Sequence, residues 1–130
     1  MLQVKIENIG EMSVIACQGR LVRSEAAFKL RKAVLSQDHA RVVVVDLSDV
    51  TAVEGGGLGM LWYLQSWAEG HAVQLKLFGP TASVKDRLAH TSPQAHFDVA
   101  SLQEMMALLS EQEDAIYMAA SAPTPLHRVA

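Results

Sequence analysis

The sequence is short of several things, and each shortage narrows what it can be. It has one cysteine, Cys17, in 130 residues. No internal disulfide can form, and a reducing compartment is compatible with that usage. No cluster of Lys and Arg makes a basic stripe, and the formal net charge is −3, so nucleic acid is a poor partner. No apolar run approaches the roughly 20 residues that a membrane span needs. The opening Met1-Leu2-Gln3-Val4-Lys5-Ile6 has no basic region followed by an apolar run, so no signal peptide is expected and a cytoplasmic location is. Five histidines, His39, His71, His90, His96 and His127, include no pair at the i, i+4 spacing of a helical zinc site. His90 and His96 flank Ser92-Pro93 but have no third ligand, so no metal is expected. No Ser/His/Asp or Cys/His arrangement emerges from the spacing, and the expectation is a chain that is not an enzyme and needs no cofactor. Cys17 reads as a small buried residue. Asp46 and Asp49 frame the end of an apolar strand, where they read as caps for Ser48 and the following loop.

What is present is the material of a globular α/β domain. Apolar residues are 50% of the chain and charged residues 19%, enough of the first to bury a core and enough of the second to keep the surface solvated. Leu2, Val4 and Ile6 alternate with Gln3, Lys5 and Glu7, the period-two pattern of a half-buried strand. A turn at Asn8 to Glu11 leads to a second strand, Met12 to Gln18, ended by Gly19, and the pair predicts a hairpin. Ser24 is placed as an N-cap for a helix over Glu25 to Ser36. Arg41 to Leu47 contains four consecutive valines, which predicts a central strand covered on both faces.

Gly55-Gly56-Gly57 interrupts the pattern. A helix follows over Leu58 to Glu69, stopped at Gly70, and then a strand carrying Val73, Leu75 and Leu77. A short helix is expected over Ala82 to Ala89, an edge strand at Phe97 to Val99, and a last helix over Leu102 to Leu109. Ser101 and Glu104 have capping-box spacing at the start of that helix. From about Ala119 the residues are small or proline and predict a frayed tail. The whole reads as one domain over residues 1–112, a mixed β-sheet with an N-terminal hairpin and about four covering helices, and a partly flexible extension over 113–130.

The segment from Val42-Val43-Val44-Val45-Asp46-Leu47-Ser48 through Glu54-Gly55-Gly56-Gly57-Leu58-Gly59 resembles the signature of the STAS domain, the fold of bacterial anti-sigma-factor antagonists. In that family a central strand ends in an Asp-Leu-Ser-like segment. A loop of the form Asp-Ser-Ser/Ala-Gly-Leu-Gly follows and opens a helix. Gly19-Arg20-Leu21 is similar to the family's strand end before its first helix. Thr81 to Val99, with Val84, Leu88, Thr91 and Phe97, is similar to its penultimate helix and last strand. The similarity spans Leu2 to Leu109.

The departures bear on function. The serine that a partner kinase modifies in phosphorylatable members falls at Gly55. The loop acid is Glu54, where the family has Asp, the next small or hydroxyl position is Gly56, and Val22 stands where many members have Asp. Without a hydroxyl at Gly55 the family's phosphoserine switch cannot operate there. Thr51 is an upstream hydroxyl that nothing local marks as a kinase substrate. The resemblance implies a binding-competent module whose partner is an anti-sigma factor of the kinase-like ATPase class. It equally admits a STAS subunit or scaffold bracing a larger complex, such as a lipid-transport ATPase or a signalling assembly.

Glycine costs about 1 kcal/mol relative to alanine in a helix, so four glycines at a helix start need a reason. One is a sharp turn with positive φ and close helix–sheet contact. Another is a backbone left bare for a partner. Anion binding is a third, opposed by the charge of Glu54. The Leu58 to Glu69 helix is also apolar nearly all round. The resemblance implies that Leu58, Leu61, Trp62, Gln65 and Ala68 pack on the sheet, which leaves Met60, Tyr63, Leu64 and Trp67 as a second stripe. The expected partner surface is Glu54, Gly55, Gly56, Gly59, Met60, Tyr63 and Trp67, serving another protein or a second copy in a homodimer.

Overall fold

The computed structural model describes residues 1–91 and 97–121. Strand β1 (Leu2–Ile9) and β2 (Met12–Leu21) form the expected antiparallel hairpin. Its two-residue loop needs positive φ, which Gly10 supplies at +60°. Helix α1 (Ser24–Leu35), β3 (Val42–Val53), α2 (Gly55–Glu69), β4 (Gln74–Phe78), α3 (Ala82–Ala89), β5 (Val99–Ala100) and α4 (Leu102–Ser121) follow in chain order. The five strands lie in the order β1-β2-β3-β4-β5. Every pairing after the hairpin is parallel, because each connection from β2 onward carries a helix.

The two sheet faces are covered differently. On one face Leu30 and Val34 of α1, Leu61 and Leu64 of α2, and Val84 and Leu88 of α3 meet Ile15, Cys17, Val43, Val45, Leu75 and Leu77 of the strands. On the other, α4 lays Met105, Leu108 and Leu109 on Met12, Val42 and Val44. The valine run is therefore buried on both sides, as its composition predicts.

Five local expectations are corrected. Arg23, not Ser24, is the N-cap of α1, and no side chain caps that end. Ser24 is already helical, and Glu25 supplies the negative charge that favours a first turn. Strand β2 runs through Gly19 to Leu21, with Gly19 at φ +117° beside a register shift. Strand β3 continues past Leu47 to Val53, absorbing an extra residue opposite Ala16–Gln18 and again opposite Gly19–Arg20; such bulges interrupt the alternation that marks a strand in sequence. Ile6, expected on the buried face, is 39% exposed, since β1 is the outer strand and the core beneath it thins toward the turn. Helix α4 extends from Leu102 to Ser121, well into the expected extension. Residues 122–130 and His96 lie outside the described residues.

The capping box at α4 is as expected. Glu104 Oε1 accepts from the Ser101 amide at 2.9 Å, and Ser101 Oγ accepts from the Glu104 amide at 3.1 Å. The Ser101 hydrogen bonds hold the Glu104 carboxyl below its ordinary value, with Lys76 adding attraction. Further along α4, Gln112 Oε1 accepts from the Glu11 amide at 2.8 Å and anchors the helix to the hairpin turn.

Candidate functional site

The glycine-rich loop sits where β3 passes into α2, beside the start of α1. Glu54 is the N-cap of α2 in extended conformation and its side chain makes no cap bond. Its amide donates to the Leu21 carbonyl at 3.2 Å. Gly55 has φ +52°, the left-handed region that glycine enters without a Cβ penalty. A Cβ on Gly57 would run into the carbonyl and the side chain of Leu21, so the helix can approach β2 this closely only with glycine there. Gly56 is less constrained: a Cβ would be at ordinary contact, 3.5 Å, from the Ser24 nitrogen. A Cβ on Gly59 would meet no other segment within 4 Å among the described residues. Two of the four glycines are thus required by the turn and the packing. The other two leave backbone open at the surface.

Helix α2 is rotated from the orientation that the resemblance implies. Gly57, Leu61, Leu64, Gln65 and Ala68 form its buried face. Leu64, assigned to the outer stripe, is fully buried, and Trp62, assigned to the sheet, is 46% exposed. The buried sector is thus turned around the helix axis, so that Leu64 enters it and Trp62 leaves. Met60 and Trp67 are half-buried and pack against the core, and the Trp67 ring stacks on His71 at 4.7 Å. Tyr63 is 43% exposed. Of the expected surface, Glu54, Gly55, Gly56, Gly59 and Tyr63 are exposed together, while Met60 and Trp67 form its half-buried border.

Three exposed residues of α1 and α2 went unrecognised in the sequence. Trp62 is one. Phe28 of α1 is 60% exposed, and its position opposite Ala26, Leu30, Ala33 and Val34 on the helical wheel carries the signal. Arg31 lies with its guanidinium 5.8 Å from the centre of the Tyr63 ring, a cation–π contact between α1 and α2. No sequence pattern points to it, because the two helices are brought side by side only by the sheet.

The candidates for chemistry are occupied structurally. Asp46 accepts from the Ser48 amide at 2.9 Å and from the Ser48 hydroxyl, the capping role expected of it, although within β3 and not at its end. The Cys17 thiol is pushed up to about 12 by burial, with the charge of Asp46 adding to the shift, so it stays protonated and inert. Thr51 Oγ1 donates to the Gly19 carbonyl at 3.3 Å. Among the described residues no group of three His, Cys, Asp or Glu could hold a metal ion, and no helix is long and apolar enough to cross a membrane.

The family model described as the STAS domain matches residues 3–112. The chain belongs to the STAS domain family. Solved structures agree on the fold. An anti-sigma factor antagonist from Mycobacterium paratuberculosis superposes with TM-score 0.66 at 16% identity, over 85% of this chain and 95% of that one. The anti-sigma factor antagonist SpoIIAA in its unphosphorylated form gives 0.64 at 14% identity, over 85% and 97%. The murine Slc26a9 anion transporter gives 0.63 at 18% identity, over 81% of this chain and 18% of the transporter. No curated protein matches the chain in sequence. At these identities the likeness is one of fold.

Proposed function

We propose that this STAS domain protein is a non-enzymatic, cytoplasmic regulator that acts as an anti-sigma-factor antagonist. Its partner is an anti-sigma factor of the kinase-like ATPase class, bound without a serine switch. The observation that carries this reading is the open backbone at Gly59 one helical turn before the exposed Tyr63, on the face of α2 that points away from the core. Alanine at Gly59 would strengthen the helix by up to about 1 kcal/mol and would meet no other segment among the described residues. A bare helix turn next to exposed aromatics suits a surface that a partner approaches closely. Glu54, Gly55, Gly56, Gly59 and Tyr63 form the proposed contact, Trp62 extends it, and Met60 and Trp67 support it from the half-buried side.

Phosphorylating a serine in this loop would add about −1.5 to −2 charges and disturb such a contact. Gly55 takes no phosphate, so the protein is constitutively competent to bind. The same feature suits a second reading, a STAS subunit or scaffold permanently seated in a larger complex such as a lipid-transport ATPase or a signalling assembly. Affinity capture with the whole chain, beside a folded Tyr63→Ala variant, distinguishes them. Recovery of a kinase-like ATPase by the natural chain and its loss from Tyr63→Ala is the expected result. Recovery of a transporter ATPase moves the protein to the second reading, and equal recovery by both proteins removes this face of α2 from the site.

A further inference from the structure

Among the described residues no strand pairs with the outer edge of β1, and the sequence of that edge is complementary to itself. In an antiparallel ladder, residues alternate between those that exchange both backbone bonds with the partner strand and those that face the other way. The Met1 carbonyl accepts from the Arg20 amide at 3.2 Å, and Ile9 and Met12 close the two-residue hairpin loop. Odd-numbered residues of β1 therefore bond to β2. Leu2, Val4, Ile6 and Asn8 direct their N–H and C=O groups outward, as the Leu2 carbonyl confirms by accepting from Lys29 Nζ of α1 at 2.8 Å. Among the described residues nothing bonds to the outward backbone groups of Val4, Ile6 and Asn8. Beside them Lys5, Ile6 and Glu7 are exposed, Ile6 by 39%.

We propose that a second copy of this chain pairs with this edge, β1 against β1 in antiparallel register about a two-fold axis at Ile6. Ile6 then faces Ile6 of the other copy, and Val4 faces Asn8, in the pairs that exchange backbone bonds. Between them Lys5 stands opposite Glu7 twice, in the non-bonded positions where side chains come closest. Shifting the axis to Lys5 or to Glu7 sets like charges against each other. Shifting it to Val4 or to Asn8 removes the Lys–Glu pairing and puts Gln3 or Ile9 in its place. The backbone and the charges thus select the same register. The two sheets join into one of ten strands, five from each copy, and the row of free amide and carbonyl groups that makes edge strands sticky is closed off. The contact is remote from the glycine-rich loop and independent of the function proposed for it.

The test is the mass of the whole protein in solution, by sedimentation or light scattering, for the natural chain and for Lys5→Glu, Glu7→Lys and Ile6→Pro. The natural chain is expected to be a dimer. Each single charge change sets two like-charged pairs across the axis and should weaken the dimer about tenfold or more. Mixing the Lys5→Glu and Glu7→Lys proteins should restore it as a heterodimer, because both cross-pairs again join opposite charges. Ile6→Pro removes an N–H that β2 does not use, so it should leave a folded monomer. A natural chain that stays monomeric at high concentration overturns the proposal. So does a dimer that survives the charge changes, or single variants whose mixture remains monomeric.

Discussion

Gly57 lies so close to Leu21 that a methyl group on it would overlap the Leu21 carbonyl, the same carbonyl that accepts from the Glu54 amide at 3.2 Å. One backbone oxygen of β2 thus positions both the cap and the first turn of α2. Gly57→Ala should lower unfolding stability by about 2 to 3 kcal/mol, the cost of overpacking a close contact. Gly59→Ala, with no other segment within 4 Å among the described residues, should raise it by up to about 1 kcal/mol. Urea unfolding of the two variants checks both signs, and equal effects would show that the helix does not sit against Leu21 as described.

Gly55 allows a separation of backbone strain from charge. Any side chain there enters the left-handed region at φ +52°, at a cost of about 1 to 2 kcal/mol. Gly55→Ser and Gly55→Glu should therefore lose similar stability in urea unfolding. Only Gly55→Glu should also lose affinity for the captured partner, since it alone adds charge to the proposed contact. Equal affinity of the two variants, measured by titration calorimetry, would place the loop outside the interface.

The Cys17 thiol supplies a pH dependence. Its folded value of about 12 lies above its ordinary 9.0, so folding favours the protonated thiol. That contribution is fully present below about pH 9 and is lost as pH rises toward 12. Cys17→Ala should flatten the loss of stability over that alkaline window. A thiol reagent at pH 8 should leave the native protein unmodified and react fully once it is unfolded in urea.

Gln65 is buried on α2 and joins β4 to the segment that leads into β5. Its Nε2 donates to the Leu75 carbonyl at 3.0 Å, and its Oε1 accepts from the Asp98 amide at 3.1 Å. Gln65→Leu keeps the volume but strands a buried carbonyl and an amide. A loss of about 2 to 3 kcal/mol is expected in urea unfolding, with amide exchange faster at Asp98 and Val99.

Much of the architecture was legible in the order of the residues. Alternation in β1, the valines of β3, the Ser101–Glu104 box and the glycine-rich loop are local patterns, and local sterics and hydrogen bonding are enough to set them. The same holds for Gly55, whose missing hydroxyl excludes a modification in any fold. Which side of α2 is buried was decided only by tertiary structure. A helix apolar nearly all round has no single stripe to read, so the close approach of Gly57 to Leu21 sets its rotation, burying Leu64 and releasing Trp62. The exposure of Ile6 likewise depends on its strand lying at the edge of the sheet, and the Arg31–Tyr63 contact on two helices lying side by side. These are relations between distant segments, settled by which surfaces pack together and not by the preferences of any one of them.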